Sequence, residues 1–309
     1  MKFCVATAPH WRFPEMASLL KIIQRADELG FYSIQLPEHL MMPYSHSGGL
    51  RPLHYNTIVL GSAIAAMTHR VRIFFNVFIL PYHHPLRLAQ EIASLDILSQ
   101  GRVIVGVGVG WLEAEFKALG LPFKERGAMT DEGIQALKVL WTAKAPSFQG
   151  KYYNFKDIAF EPKPVQKPHP PIWVGGAVHR SLERAAAFGD GWSPMRKPWE
   201  GLKQEAVEMR RLLTERGRAK EDFTFSYIVD YGSSVESIAP YARLAGSSEP
   251  TVLSAEPEKA FALIRELEGM GFTHLMVHFT GTEPRTFQEE MERFHHEIML
   301  PLSRQGAAQ

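Results

Sequence analysis

Glu38-His39 sets a carboxylate beside an imidazole at the end of a short apolar run. A histidine can donate, accept or carry a proton near neutral pH, so His39 is a candidate general acid or base; the plainer alternative is a loop histidine bonded to a backbone carbonyl. Asn76 is the one polar residue in the run Ile73 to Leu80. It needs hydrogen-bond partners there, either on neighbouring strands or at a bulge that turns backbone groups toward a ligand. Two glycine runs, Gly106-Val-Gly-Val-Gly-Trp111 and Trp173-Val-Gly-Gly176, close further apolar runs. Glycine at such positions lets a flat or phosphorylated ligand approach the backbone, or relieves crowding between packed strands. The first run is not a dinucleotide fingerprint, because Trp111 stands where the third glycine is required.

Other chemistries have less to work with. Tyr82-His83-His84-Pro85 carries two adjacent histidines, but neighbours in extended chain point opposite ways and no carboxylate completes a ligand triad. His274 and His278 share one face of a strand without a third ligand, so no metal is expected. Glu38 and Glu113 could supply the carboxylate pair of a glycoside hydrolase. Nucleophilic catalysis has only Cys4 to draw on, and no Gly-x-Ser-x-Gly elbow is present.

These residues fall between elements that alternate. Apolar runs of strand type span 2–6, 32–36, 71–80, 102–107, 171–174, 191–193, 223–230 and 273–279. Helical spacing spans 16–29, 58–67, 86–98, 128–141, 181–188, 200–216, 257–270 and 287–300, with Ile134, Leu137 and Trp141 on one face. Parallel strands need helical crossovers, and eight such units predict an α/β protein of the (β/α)8 TIM barrel type. A doubly wound open sheet is the alternative, since strand order is invisible in sequence. Residues 146–171 interrupt the rhythm with six prolines and an alternating stretch, Phe148 to Phe155, that reads as a small hairpin. A single barrel domain over 1–303 with insertions at the carboxyl mouth, then a polar tail at 304–309, is the expected organisation.

Composition narrows the partners. Among 309 residues, 34 Lys+Arg stand against 33 Asp+Glu, a formal charge of +1, without a basic block. That balance gives no footprint for nucleic acid or an anionic membrane. No apolar segment approaches the roughly 18 residues of a membrane span, and the N-terminus lacks the apolar core of a secretory signal. One cysteine cannot form an internal disulfide, so a reducing, cytoplasmic setting is expected.

Gly101 to Phe123, continuing through Arg126-Gly-Ala-Met-Thr-Asp-Glu132, together with Glu38-His39, Pro162 to Gly176 and Phe188-Gly-Asp-Gly-Trp192, resembles the luciferase-like monooxygenase superfamily. More narrowly, it is similar to the coenzyme F420-dependent oxidoreductase branch. The resemblance implies a luciferase-like barrel holding a deazaflavin, or alternatively flavin mononucleotide (FMN), at its carboxyl mouth. Glu38 and His39 are then expected against the ring system, with His39 catalytic. Members that use the deazaflavin often carry a non-prolyl cis peptide in the third strand, a bulge that backs the ring, which falls here at Asn76-Val77. Gly108, Val109, Gly110, Gly175, Gly176, Ala177 and Val178 are implied as backbone contacts to the cofactor and its phosphate.

One departure is informative. The sugar-phosphate dehydrogenase of this family places a catalytic glutamate where this chain has Trp111, which suggests an apolar or aromatic wall instead. The implied activity is hydride transfer between deazaflavin and a small organic substrate. The alternatives are an FMN-dependent monooxygenase fed by a separate flavin reductase, and a flavin-binding barrel without turnover. Family members are often homodimers, and Met42, Tyr44 or the 146–160 segment could reach across such an interface. Residues 40–56 and 231–256 are expected to shape the pocket.

Overall fold

Runs of Val, Ile and Phe that are apolar on both faces suit strands covered on both sides, and here they close into a barrel. The computed structural model describes residues 1–8, 10–42, 53–232 and 251–306. Its strands are β1 (Lys2–Ala6), β2 (Ser33–Leu36), β3 (Arg72–Ile79), β4 (Val103–Gly108), β5 (Phe148–Gln149), β6 (Asn154–Phe155), β7 (Ile172–Gly176), β8 (Gly191–Pro194), β9 (Thr224–Tyr231), β10 (Val252–Leu253) and β11 (His274–Phe279). Hydrogen bonding runs β11-β1-β2-β3-β4-β7-β8-β9, and β9 returns to β11, all in parallel. The β8–β9 and β9–β11 pairings exclude the open sheet. β10 extends the edge of β9 at Asp230, and β5 and β6 form the expected hairpin, with Phe148 opposite Phe155.

The helices are α1 (Met16–Glu28), α2 (Thr57–Met67), α3 (Pro85–Leu98), α4 (Glu113–Leu119), α5 (Arg126–Thr142), α6 (His179–Phe188), α7 (Trp199–Glu215), α8 (Pro257–Gly269), α9 (Pro284–Phe294) and α10 (Leu300–Gly306). A π-helical turn, His295–Met299, joins the last two. Residues 304–306, expected as the start of a polar tail, instead continue α10, because the helix running in from Pro284 carries on through them. Residues 307–309 lie outside the described residues, as does Tyr44. So do 43–52 and 233–250, which cover much of the two segments expected to shape the pocket.

Side chains alternate along each strand, so positions two apart share a face. Cys4, Phe74, Ile104, Trp173 and Met276 point inward and fill the barrel's middle as one apolar layer. Two residues further toward the carboxyl ends, the same strands present Asn76, Gly106, Gly175 and His278. The interior changes from apolar to polar and open at that level.

The third strand decides what its neighbours can carry. Its pairing with β4 shifts between Phe75 and Phe78, a bulge at Asn76 and Val77, and the Asn76-Val77 peptide is cis as the resemblance implied. Within β3, Asn76 and Val77 are partly exposed where the residues on either side are buried. A Cβ on Gly106 would overlap the Phe75 carbonyl oxygen, one on Gly108 would lie 2.6 Å from Val77 Cγ2, and one on Gly175 2.7 Å from Val77 Cγ1. Crowding therefore accounts for three of the glycines.

Gly106→Ala should cost about 1–3 kcal/mol or more, because a backbone carbonyl cannot move aside as a side chain can. Gly201→Ala in α7 meets nothing within 4 Å and should leave stability unchanged or raise it by up to about 1 kcal/mol. Thermal unfolding of the two variants side by side checks this, and equal melting temperatures would contradict the crowding argument.

Candidate functional site

Glu38 follows β2 and is buried, with both carboxylate oxygens engaged. Ile79 N–H donates to its Oε2 (2.7 Å), and His83 Nε2 lies 2.9 Å from Oε1. Burial pushes His83 down, but the hydrogen bond and charge of Glu38 outweigh it and hold the imidazole above its usual range. His83 and His84 do diverge: His84 caps α3 by accepting from Leu86 N–H (3.3 Å). Among the described residues no group of three or more His, Cys, Asp or Glu could hold a metal ion.

His39 is nearly buried. Its Nδ1 lies 3.4 Å from Glu115 Oε2, and its ring sits 5.1 Å from His54 and 5.9 Å, edge to face, from Trp111. Trp111 is 38% exposed at the mouth.

At the bulge, Gln35 Nε2 donates to the Asn76 carbonyl (2.8 Å), and Asn76 Nδ2 reaches across the barrel to Met276 Sδ (3.2 Å). Asn76 thus sits at a bulge and bonds across the barrel to β11, not to a neighbouring strand. Gln35 Oε1 and Ser193 Oγ are buried without a hydrogen-bond partner. Ser193 pairs in register with Gly175, beside Val77 and Asn76. Unpaired buried polar atoms around an open mouth suit a ligand with a polar edge. Beyond Gly176, Ala177 and Val178 are exposed and lead into α6, whose first turn has no side-chain cap. Ser181 N–H there donates to the Val178 carbonyl (2.8 Å), and the preceding N–H groups, of His179 and Arg180, suit a phosphate.

Opposite the bulge lies a buried charge network. Arg196 grips Asp230 through Nε (3.0 Å) and a terminal nitrogen (2.6 Å), Asp230 accepts from His278 Nδ1 (2.7 Å), and Arg12 lies 2.9 Å from His278 Nε2. Arg12 also donates to the carbonyls of Ala8, Phe279 and Gly281, tying the ends of β1 and β11 together. Asp230, Arg196 and Arg12 escaped sequence reasoning, since single charged residues in loops and strand ends carry no spacing signal. Glu115 was missed too, although Leu112, Glu115 and Phe116 share one face of a helix. His274 and His278 both point inward but separate, His274 packing between the rings of Tyr32 and Trp173 (4.9 and 5.0 Å) at the barrel floor.

With fold and site laid out, the kinship is direct. Residues 2–231 match the family described as luciferase-like monooxygenase. The chain belongs to that family. It is 28% identical over 324 residues to an F420-dependent glucose-6-phosphate dehydrogenase of Microbacterium testaceum, covering 92% of each chain. It is also 28% identical over 221 residues to an FMNH2-dependent dimethylsulfone monooxygenase of Pseudomonas putida, covering 70% of this chain but only 61% of that relative's length. The crystal structure of monooxygenase RslO1 from Streptomyces bottropensis superposes with a TM-score of 0.77 at 25% identity, over 98% of this chain and all (100%) of that one. Relatives thus use either F420 or reduced FMN.

Burial shapes the pH response. It pushes His10 and His274 down to about 3, and His54 and His278 down to about 4. As pH falls below about 6.5, these four take up protons in the unfolded chain but not in the fold, so stability is lost in the acid direction. His83 opposes this: its raised value stabilises the fold at low pH, and that contribution fades as pH rises through it. Four outweigh one, so the melting temperature should drop by roughly 5 °C or more from pH 7 to pH 5. A flat profile from scanning calorimetry across that range would show that the histidines titrate normally.

Proposed function

We infer that this chain is a deazaflavin (coenzyme F420)-dependent oxidoreductase that moves hydride between the cofactor and a small organic substrate. The observation that carries the reading is the bulge at Asn76 and Val77, partly exposed at the mouth beside the two glycine-ended strands β4 and β7. Similarity to an F420-dependent dehydrogenase over 92% of both chains supports it. When bound, a deazaflavin supplies a two-electron hydride donor or acceptor that reacts poorly with oxygen, because carbon replaces flavin nitrogen at position five.

In this reading Asn76 and Val77 back the ring. Glu38 braces that wall through Ile79 N–H and His83, and Trp111 shields one side from water. The backbones of Gly108, Val109 and Gly110 meet the cofactor from β4, while Gly175, Gly176, Ala177 and Val178 lead its phosphate to the first turn of α6. His39 gives or takes the proton that accompanies hydride transfer at a carbonyl or alcohol oxygen. We place the work in the cytoplasm, where the thiol of buried Cys4 stays reduced.

A second reading is an FMN-dependent monooxygenase supplied with reduced flavin by a separate reductase, and the Pseudomonas putida relative favours it. Parallel fluorescence titrations with oxidised deazaflavin and with FMN separate the two. Tight binding of deazaflavin alone supports the first reading, whereas preference for FMN, with oxygen consumption coupled to product, replaces it by the second. Given a turned-over carbonyl, alcohol or activated alkene, His39→Asn should lower kcat about 10²–10⁴-fold with cofactor affinity retained. Unchanged turnover removes His39 from the chemistry.

The homodimer implied by the resemblance has a suitable surface on α2. None of the 11 residues Thr57–Met67 is charged, Val59 is 64% exposed, and Ile97 and Leu98 of α3 are also exposed. If a second copy covers this face, Val59→Glu with Leu98→Glu should convert a dimer to a monomer in light scattering, and a dimer surviving both changes would move the interface elsewhere.

A further inference from the structure

Glu115 lies inside the Gly101–Phe123 stretch that carries the resemblance, which assigns it no role, yet it is the carboxylate in contact with His39. It lies on the inward face of α4, 1% exposed, and collects donors from separate parts of the mouth. Its Oε1 accepts from the N–H groups of Leu40 (2.7 Å) and Met41 (3.2 Å), the two residues after His39. Its Oε2 accepts from the Tyr82 hydroxyl (2.8 Å) in the turn after β3. The same Oε2 is 3.4 Å from His39 Nδ1, a buried nitrogen with no acceptor in hydrogen-bond geometry.

Burial pushes the Glu115 carboxyl up, but contact with His39 and the two N–H groups more than offsets this and holds it below the usual range. An ionised carboxylate can only accept hydrogen bonds. The imidazole nitrogen against it must therefore carry a proton. Resting on the reading of His39 as the acid–base group, we propose that Glu115 is a positioning residue that keeps the proton of neutral His39 on Nδ1 and so presents an unprotonated Nε2 to the substrate.

A base needs its lone pair on the reacting side, and a buried acceptor behind the ring selects that tautomer. When His39 takes up a proton, the imidazolium forms with a carboxylate already in place, and no side chain has to move. The titratable groups around the pair are His54 against the His39 ring, Tyr82 on Glu115, and Glu38 with His83 behind Tyr82. Tyr82 competes with His39 for Oε2, so its hydroxyl tempers the pairing.

The test reads the ring itself, without cofactor or substrate. Long-range 1H–15N correlation of the full chain, labelled at histidine nitrogens, reports the tautomer of each ring, and the signals missing from His39→Asn identify His39. The expected pattern is Nδ1–H in the parent chain. In Glu115→Gln the amide can donate to Nδ1, so the pattern changes to Nε2–H. An Nε2–H pattern in the parent, or an unchanged tautomer in Glu115→Gln, overturns the proposal. Should Glu115→Gln fail to fold, Tyr82→Phe removes the competing donor; Nδ1–H is then retained, and conversion to Nε2–H overturns it. Turnover of His39→Asn judges the catalytic reading separately, so the two can fail independently.

Discussion

The bulge of β3 is the constraint on which the mouth of this barrel depends. A regular strand would send Asn76 and Val77 to alternate faces and keep the ladder to β4 in step; the register shift between Phe75 and Phe78 frees them from it. Val77 then projects toward both β4 and β7, which can approach only because Gly108 and Gly175 lack a Cβ. Gln35 holds the displaced carbonyl of Asn76 from β2, while Asn76 itself reaches Met276 on the far side. Four strands thus share one irregularity, and each contributes the residue type that accommodates it. Glycine here serves protein packing first, and what it leaves for a ligand is backbone.

Around that wall the charges divide into three separate settlements. Glu38 is spent on His83 and Ile79 N–H, which ties the end of β2 to the end of β3. Asp230, Arg196, His278 and Arg12 tie the ends of β8, β9, β11 and β1. A buried charge that satisfies its neighbours in this way holds loops in register at the cost of desolvation. Glu115 differs. It also joins separate elements, but one of its partners is a histidine at the rim of the mouth, where the ring's other nitrogen has no partner among the described residues. The acid–base candidate is the histidine whose carboxylate partner sits behind it.

Much of the fold was legible because barrel strands are short apolar runs and their crossovers are amphipathic, two periodicities that a chain displays openly. Closure was not, since pairing of β8 with β9 leaves no local mark. Short helices were also hidden: α4 spans Glu113–Leu119 and begins one residue after a glycine-rich turn, too brief for a period of 3.6 to show. Losing α4 meant losing Glu115. At the site, Glu38, His39 and Asn76 stood out because polar residues in apolar surroundings are visible in sequence. The residues that complete the mouth were not, because Gln35, Tyr82 and Arg12 are ordinary residues until the fold sets them beside the Asn76 carbonyl, the Glu115 carboxylate and His278.

The family's two chemistries differ in what they ask of such a mouth. Hydride transfer to or from an oxygen-bearing carbon needs one proton moved at the right moment, so a histidine with a defined tautomer and a ready counter-charge suits it. Oxygenation with reduced flavin asks first for a dry pocket that protects a reactive species from water. Trp111 beside His39 would serve either purpose, as a wall with no proton of its own to exchange. The Glu115 contact on His39 serves the first more directly, since its effect is on where a proton sits. In this chain an aromatic ring and a buried carboxylate meet at a single imidazole, so a hydride-transfer reading places both at the group that would carry the proton.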